Sequence, residues 1–534
     1  MNSEGNWIRN YVIYSLVILG MLSGCEREKE LVLPDMAVMV MDYDGNPILQ
    51  EPNGELTVDV TTQSLAGIEK LEVLLDGTVE TTVSPDLPLS FVYAYTFTIP
   101  SDASLGTTYT IVFKVTDGEG RVSESRPVHV SVNQPFSIEE LTLEGTTYER
   151  VKGRVNKDMT FTKDKKWLID SMVVVSENAV LTIEAGTTVY FRTYSNPTIS
   201  ALAINRGSRI IADGSRTEPI VFTSSAVNQN SARIGDWGGL LIHGEAPSNV
   251  AEVVLYGGFR YGGTRPTDNS GSLRFIRIEY AGKSDLHALQ LFGVGSATRV
   301  EYIQAYNSYN NAFRVRGGRV SLRYLAGIEH GGYGIWADEG WQGNGQFWLF
   351  QTSIAATFVP VNYWNQARSI EFRNDDTFFD KQPTTTFKVS NVTLIGNGQQ
   401  SGTRRGIRVR TGSRGLLYNA IVTQFPSDAV RVEDLPISTL GVSTIIDHMH
   451  SFDNYANWEQ EAKSVFFESG DYNLSETPVA GISLHNFDAV VPATYNPTVM
   501  SSWFQSAPYI GAVNPENDWT KGGTWFKDKN GNYR

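Results

Sequence analysis

The sequence predicts an all-β protein: an N-terminal immunoglobulin-like β-sandwich over residues 31–134, a linker or capping segment over 135–166, and a parallel β-helix over 167–534. Three observations carry this. Short alternating strands run through the chain and no stretch holds a helical period. The composition is rich in turn formers and aromatics, with 49 glycines and 11% aromatic residues against only 19% charged ones. From Trp167 onward, apolar strands recur at a near-constant interval.

Ahead of the sandwich, Arg9 precedes a run from Tyr11 to Leu22 that is apolar apart from Ser15 and Gly20. This is a signal-peptide pattern, shorter than the roughly 20 residues of a membrane span. The run ends in Leu22-Ser23-Gly24-Cys25, and Cys25 is the only cysteine. These four residues resemble the lipobox of bacterial lipoproteins. The resemblance implies a lipoprotein signal peptide over 1–24, transfer of a diacylglycerol, with acyl chains such as palmitate, to the Cys25 thiol, and cleavage before Cys25. Several acyl chains hold a protein on a membrane where one does not. The competing reading is an uncleaved anchor helix.

Residues 25–30 form a charged tether, Cys25 followed by Glu26-Arg27-Glu28-Lys29-Glu30. It resembles the acidic export signal that sends lipoproteins to the outer face of the outer membrane, although any solvated tether has this character. The expected location is the cell outer membrane, facing the exterior. The net charge is −14, from 58 acidic and 44 basic residues, and no basic stripe is visible. That argues against nucleic acid as a partner.

In the sandwich region the strands read as Ala37–Met41, Leu56–Val60, Leu71–Leu75, Tyr109–Val115 and Val128–Val132. Turns such as Asp76-Gly77 and Asp117-Gly118-Glu119-Gly120 separate them. Tyr109–Asp117 and its glycine-rich turn resemble the penultimate strand of immunoglobulin-like surface modules, which commonly act as spacers.

In the second half, Ile276, Ile303, Leu325, Leu349, Leu394 and Ile421 mark the centres of successive strands, with gaps of 27, 22, 24, 45 and 27 residues. The gap of 45 reads as two turns of one coil. A strand-and-turn unit of this length cannot bury its own apolar face and must stack on the next, which makes a parallel β-helix. Corners such as Asn307–Asn311, Gly317-Gly318 and Asn397-Gly398 suit its tight bends.

The stretches Leu181–Phe191, Ala203–Gly214, Pro219–Ser224, Gly235–Leu240, Asn269–Tyr280, Tyr509–Ala512 and Asp518–Thr520, in that order, are similar to the right-handed parallel β-helix surface lipoproteins of the pectin-lyase-like superfamily. The resemblance implies a right-handed coil. Because the superfamily contains polysaccharide lyases, it also implies a search for carboxylates that hold Ca²⁺ beside a basic residue. Arg373-Asn374-Asp375-Asp376, with Arg404, Arg405, Arg408 and Arg410 one rung later, is the best candidate. Adjacent aspartates on a strand point to opposite faces, so the two share a site only in a turn.

Asp447-His448-Met449-His450 places two histidines at i and i+2, a possible metal pair without a third ligand at recognisable spacing. No nucleophile elbow, phosphate loop or cysteine site is present, and no catalytic residue, metal or cofactor is assigned. Aromatic density is the remaining signal. Between Gly332 and Trp364 lie Tyr333, Trp336, Trp341, Phe347, Trp348, Phe350, Phe358, Tyr363 and Trp364. Of these, Tyr333, Trp336, Trp341, Tyr363 and Trp364, with Asp338, are expected to line a ligand site, while Phe347, Trp348 and Phe350 fill the coil. The expected function is binding of a nutrient, a glycan or corrinoid-like cofactor, for delivery to an outer-membrane transporter. A polysaccharide lyase or glycoside hydrolase on the same scaffold, and an adhesin, are the alternatives.

Overall fold

The computed structural model describes residues 35–534 except 42, 44, 46, 104–106, 133–135, 251–258, 353–367, 399–402, 435–438, 490 and 517. Residues 1–24, expected to form a signal peptide, lie outside the described residues, as do Cys25, the charged residues 26–30, Tyr363 and Trp364. The chain is all-β and divides into two compact units.

The first unit, which includes Thr57–Tyr95 and Ile111–Pro127, is antiparallel. Glu55–Gln63 runs between Ala37–Val40 and Ser90–Thr98 in one sheet. Ile68–Leu75 pairs with Thr78–Val83 and with Thr108–Asp117, and Val122–Glu124 returns along the last of these. Ile111, Phe113 and Val115 are fully buried while the residues between them are partly exposed, the period-two pattern of a half-buried strand. Asp117, also fully buried, fixes the turn that follows. Its carboxylate accepts from Ser64 Oγ at 2.8 Å, Arg121 Nε at 2.9 Å, and the Arg121 and Glu119 amides at 3.0 and 3.1 Å.

The second unit is a parallel coil opened by an antiparallel hairpin, Ser137–Leu143 with Thr146–Lys152, whose second strand pairs in parallel with Trp167–Ile169. Two long parallel sheets follow, one continuing from that strand and the other running from Arg154–Val155 to Ala456–Trp458. Their inner faces form a single apolar core with aromatic stacks inside it, among them Phe191 on Trp237 at 3.6 Å and Phe372 on Phe387 at 3.9 Å. The stretch Gly235–Leu240 takes its meaning here. Trp237 enters the core and donates to Glu279 O at 2.8 Å, while a Cβ on Gly239 would stand 1.9 Å from His287 O. Only glycine lets the neighbouring rung approach that closely.

Register confirms the first two of the five expected intervals, while at the last one Ile421 pairs with Thr393 on the outer side and Leu394 pairs with Val422. Ile276 pairs with Ile303 and Ile303 with Leu325. Leu325 then pairs with Trp348, not with Leu349, and Leu349 lies on the outer side of the sheet. The 45-residue gap is a single rung with a long insertion, because Asn344–Thr352 pairs directly with Thr386–Ile395 and Ile335–Asp338 directly with Arg368–Phe372. The expectation of two turns is therefore corrected. Spacing alone cannot tell a second coil from an enlarged turn.

One feature organises the outer surface. Gly271–Glu279 pairs with Arg209–Asp213 through its first half and with Ile220–Ser224 through its second, and it bends at Phe275, which has φ of 48°. In the later long strands Tyr302, Tyr324, Phe347, Asn391, Asn419 and His448 sit at the same bend with φ between 51° and 61°. A non-glycine residue held in this region costs on the order of 1–3 kcal/mol. Stacking offsets part of it: Phe275 on Tyr302 at 4.3 Å, Tyr302 on Tyr324 at 4.2 Å and Tyr324 on Phe347 at 4.7 Å, all within 12° of parallel, at about 0.5–1.5 kcal/mol per pair.

The last residues of the chain add no rung to the long sheets, but fold back over this outer face, burying Phe487, Ile510, Trp519, Trp525 and Phe526 against it. Glutamines serve as their pairing partners. Gln346 accepts from the Gln505 amide and donates to its carbonyl, both at 2.9 Å, and Gln304 does the same with Lys527 at 2.9 and 2.6 Å.

Candidate functional site

The aromatic stretch singled out in the sequence is split by the fold. Trp341 is fully buried in the coil interior, donating to Val320 O at 3.0 Å and lying parallel to Phe372 at 6.1 Å. It is a core residue, and its assignment to a ligand surface is corrected. Trp348 and Phe350 are interior as expected, whereas Phe347 lies on the outer side.

Trp336 points outward and is half-buried, but its faces are occupied. The Arg314 guanidinium stands 3.9 Å from its ring centroid and that of Arg373 4.5 Å, one from each neighbouring rung. Asp338, 6% exposed, grips Arg314 with both oxygens at 2.7 and 2.6 Å, and Tyr333 is 7% exposed beside Trp336. Cation–π contact and a bidentate ion pair thus use up the surfaces that a sugar would need.

The two aspartates do lie in a turn, yet they do not share a site. Asp375 accepts from the Thr377 and Phe378 amides at 2.9 and 2.8 Å and pairs with Lys381 at 2.8 Å, while the exposed Asp376 pairs with Arg373 and Arg410. His448 Nε2 contacts Thr494 Oγ1 at 2.8 Å and His450 Nδ1 contacts Thr477 O at 3.0 Å, so separate partners hold the pair. Among the described residues, no group of three His, Cys, Asp or Glu side chains stands together as a metal site.

A cleft of about 390 Å³ lies instead where the returning C-terminal segment crosses the stacked rings. Tyr302, Tyr324 and Phe347 form its floor, Arg216 closes one end, and Pro492, Gln505, Pro508, Tyr509 and Trp519 are among its walls. Its volume falls in the range of ligand pockets, about 300–1,000 Å³. The rings stack face to face along the coil, so Tyr302 and Tyr324 offer edges and hydroxyls to the cleft instead of free faces. Tyr324 donates its hydroxyl to Gln505 Oε1. Arg216 donates to Trp519 O at 3.1 Å and Lys521 O at 2.7 Å, with its guanidinium 5.8 Å from the Tyr302 ring. Two of its contacts are thus spent on backbone carbonyls of the returning segment. Ser506 and Asn514 add polar groups, and among the described residues none that lines the cleft is acidic.

None of these positions was singled out in the sequence as a site. A signal was present, since an aromatic residue stands directly before the central apolar one in Phe275-Ile276, Tyr302-Ile303, Tyr324-Leu325 and Phe347-Trp348.

A family model for the pectate-lyase like beta helix domain matches residues 153–474, the span over which the two parallel sheets stack. The chain belongs to this family. No curated protein matches it. Among solved structures, this pectate-lyase-like chain is similar to a pectate lyase from Pectobacterium carotovorum, at 13% identity over 71% of this chain and 86% of that one, with a TM-score of 0.11. It is also similar to a pectate lyase from Erwinia chrysanthemi in complex with tetragalacturonic acid, at 12% identity over 71% and 85%, with a TM-score of 0.10. Fibronectin(III)-like modules from Clostridium thermocellum match 18% of this chain and 94% of their own at 20% identity, with a TM-score of 0.15. The C-terminal segment that roofs the cleft lies beyond the family match.

Proposed function

We propose that this protein is a lipid-anchored surface protein that binds a short saccharide in the cleft beneath its C-terminal segment. The observation that carries the reading is the lining: phenolic hydroxyls, amides and a guanidinium alternate with ring edges and prolines, and among the described lining residues there is no carboxylate. Such a mixture suits a ligand that offers hydroxyls around apolar patches. Two-carboxylate glycoside hydrolysis has no place in this cleft, and Arg216 is committed to backbone carbonyls. Binding without turnover fits capture of a glycan for an outer-membrane transporter, with the N-terminal sandwich as an immunoglobulin-like spacer and acylated Cys25 as the membrane anchor.

The test is a glycan array followed by calorimetry on the purified protein, with Tyr324→Phe and Gln505→Ala as variants. Each removes a polar group from the cleft and leaves the ring stack in place. Wild-type protein should retain at least one saccharide, and each variant should weaken it by roughly 1 kcal/mol, the net contribution of one hydrogen bond. Retention of no saccharide, or affinity unchanged in both variants, would reject the site.

A further inference from the structure

The outward face of the second sheet carries a different chemistry. Arg314, Trp336, Glu371, Arg408 and Arg431 occupy one row across successive rungs. Glu371 is fully buried and has three guanidiniums around it: Arg373 Nε against Oε1, Arg408 Nη1 at 3.8 Å from Oε1, and Arg368 Nε at 3.7 Å from Oε2. Other carboxylates serve the outer members. Glu433 pairs with Arg408, Arg410 and Arg431, and Asp428 with Arg405 and Arg431. Asp376 and Asp434 take Arg410. Among the described residues this connected network joins six arginines to five carboxylates, and Arg368 has only the shared Glu371 opposite it.

Hydrogen bonding tells the same story. Arg368 has a side chain 4% exposed, and its Nε and Nη1 are buried without a hydrogen-bond partner among the described residues. Arg408 Nε, Arg410 Nε and Trp336 Nε1 are likewise buried and unsatisfied. Apart from Glu371 Oε2 and Glu433 Oε1, the unsatisfied side-chain atoms in this network are all N–H groups. A buried donor left unpaired costs about 1–3 kcal/mol, and more when charged. Burial, together with the neighbouring Arg410, Arg368 and Arg405, brings the Arg408 guanidinium down to about 10, against the opposing pull of Glu371. Arg405 and Arg408, whose side chains are 16% and 15% exposed, put the cluster within reach of solvent.

We infer that the Arg368–Arg408 cluster is a binding site for an oxyanion group, a carboxylate, sulfate or phosphate carried by a soluble ligand, separate from the aromatic cleft. The forked guanidinium matches such groups in shape as well as charge. The free N–H groups supply the donors, and one added negative charge balances the network.

The experiment is isothermal titration of the purified full chain at low ionic strength with sodium sulfate, inorganic phosphate and sodium glucuronate as probes and glucose as the neutral control. At least one anion should bind saturably and glucose should not compete. The three anions together distinguish a tetrahedral group from a carboxylate. Arg368→Gln and Arg408→Gln should each weaken binding by about tenfold or more, the loss of a charge-assisted hydrogen bond. Arg408→Lys, which keeps the charge opposite Glu433 but loses the fork, must also weaken it, so the outcome does not hang on whether a glutamine variant folds. Tyr324→Phe should bind the anion as wild type does, which keeps this result independent of the cleft. Absence of saturable binding for all three anions, or undiminished binding in Arg408→Lys, overturns the inference.

Discussion

Replacing Trp341 by alanine tests the division between core and surface most sharply. The side chain is fully buried, lies parallel to Phe372 and donates its indole N–H to Val320 O. Truncation leaves a cavity in a coil that stacked backbone ladders prevent from collapsing, and it leaves a buried carbonyl without that donor. Core Trp→Ala changes cost about 3–5 kcal/mol, and the lost bond places this one near the upper half, at about 4 kcal/mol. For a cooperative unit of roughly 300 residues the unfolding entropy is about 0.6 kcal/mol per kelvin, so the melting midpoint should fall by about 6 °C. Calorimetry of wild type and Trp341→Ala side by side measures this, with Trp336→Ala as the outward-facing control. Trp336→Ala should shift the midpoint less, because its ring is half-buried and packs outside the coil between two guanidiniums and Tyr333. A Trp341→Ala midpoint within a degree of wild type would refute the placement of this ring in the core.

Further outcomes follow from other elements. Burial would push the Asp117 carboxyl upward, but hydrogen bonds from Ser64 and Arg121 outweigh it and hold the group below its ordinary value. Its contribution to stability is therefore complete above the unfolded-state value of about 3.9 and is lost as pH falls below that; Asp117→Asn should flatten the acid limb of a stability-against-pH curve, and an unchanged limb would count against the assignment. Ending the chain at Ala489 removes the segment carrying Trp519, Trp525 and Phe526 and uncovers Phe275, Leu349 and Ile421; the truncated protein should bind a hydrophobic dye and aggregate, and a soluble, dye-negative product would contradict the role of that segment. Cys25→Ser should leave uncut or soluble precursor without acylation, and mature-sized protein in the outer-membrane fraction would refute lipidation.

Strand periodicity alone carried much of the architecture. Ile276, Ile303 and Leu325 stand in register as their spacing required, because each rung of a solenoid must present apolar residues to the same core. The same reasoning failed at Leu349 and Ile421, because these strands carry apolar residues on both faces: Trp348, Phe350 and Val422 enter the core while Leu349 and Ile421 face outward under the returning C-terminal segment. Nor could sequence spacing sort Trp336 from Trp341: both stand in one glycine-rich stretch, and only the fold shows one against guanidiniums and the other against Phe372.

What the sequence by itself determined is the all-β class and the stacking of rungs, since these follow from hydrophobic period and turn chemistry, which act between residues near in the chain. Only the tertiary structure decided where a ligand can sit. The cleft brings Arg216 to the Trp519 carbonyl and Tyr324 to Gln505, and the arginine cluster gathers side chains from three successive rungs. Residues brought together across such separations leave no local pattern. Their proximity is set by the rung count of the coil and by the path of the returning C-terminal segment.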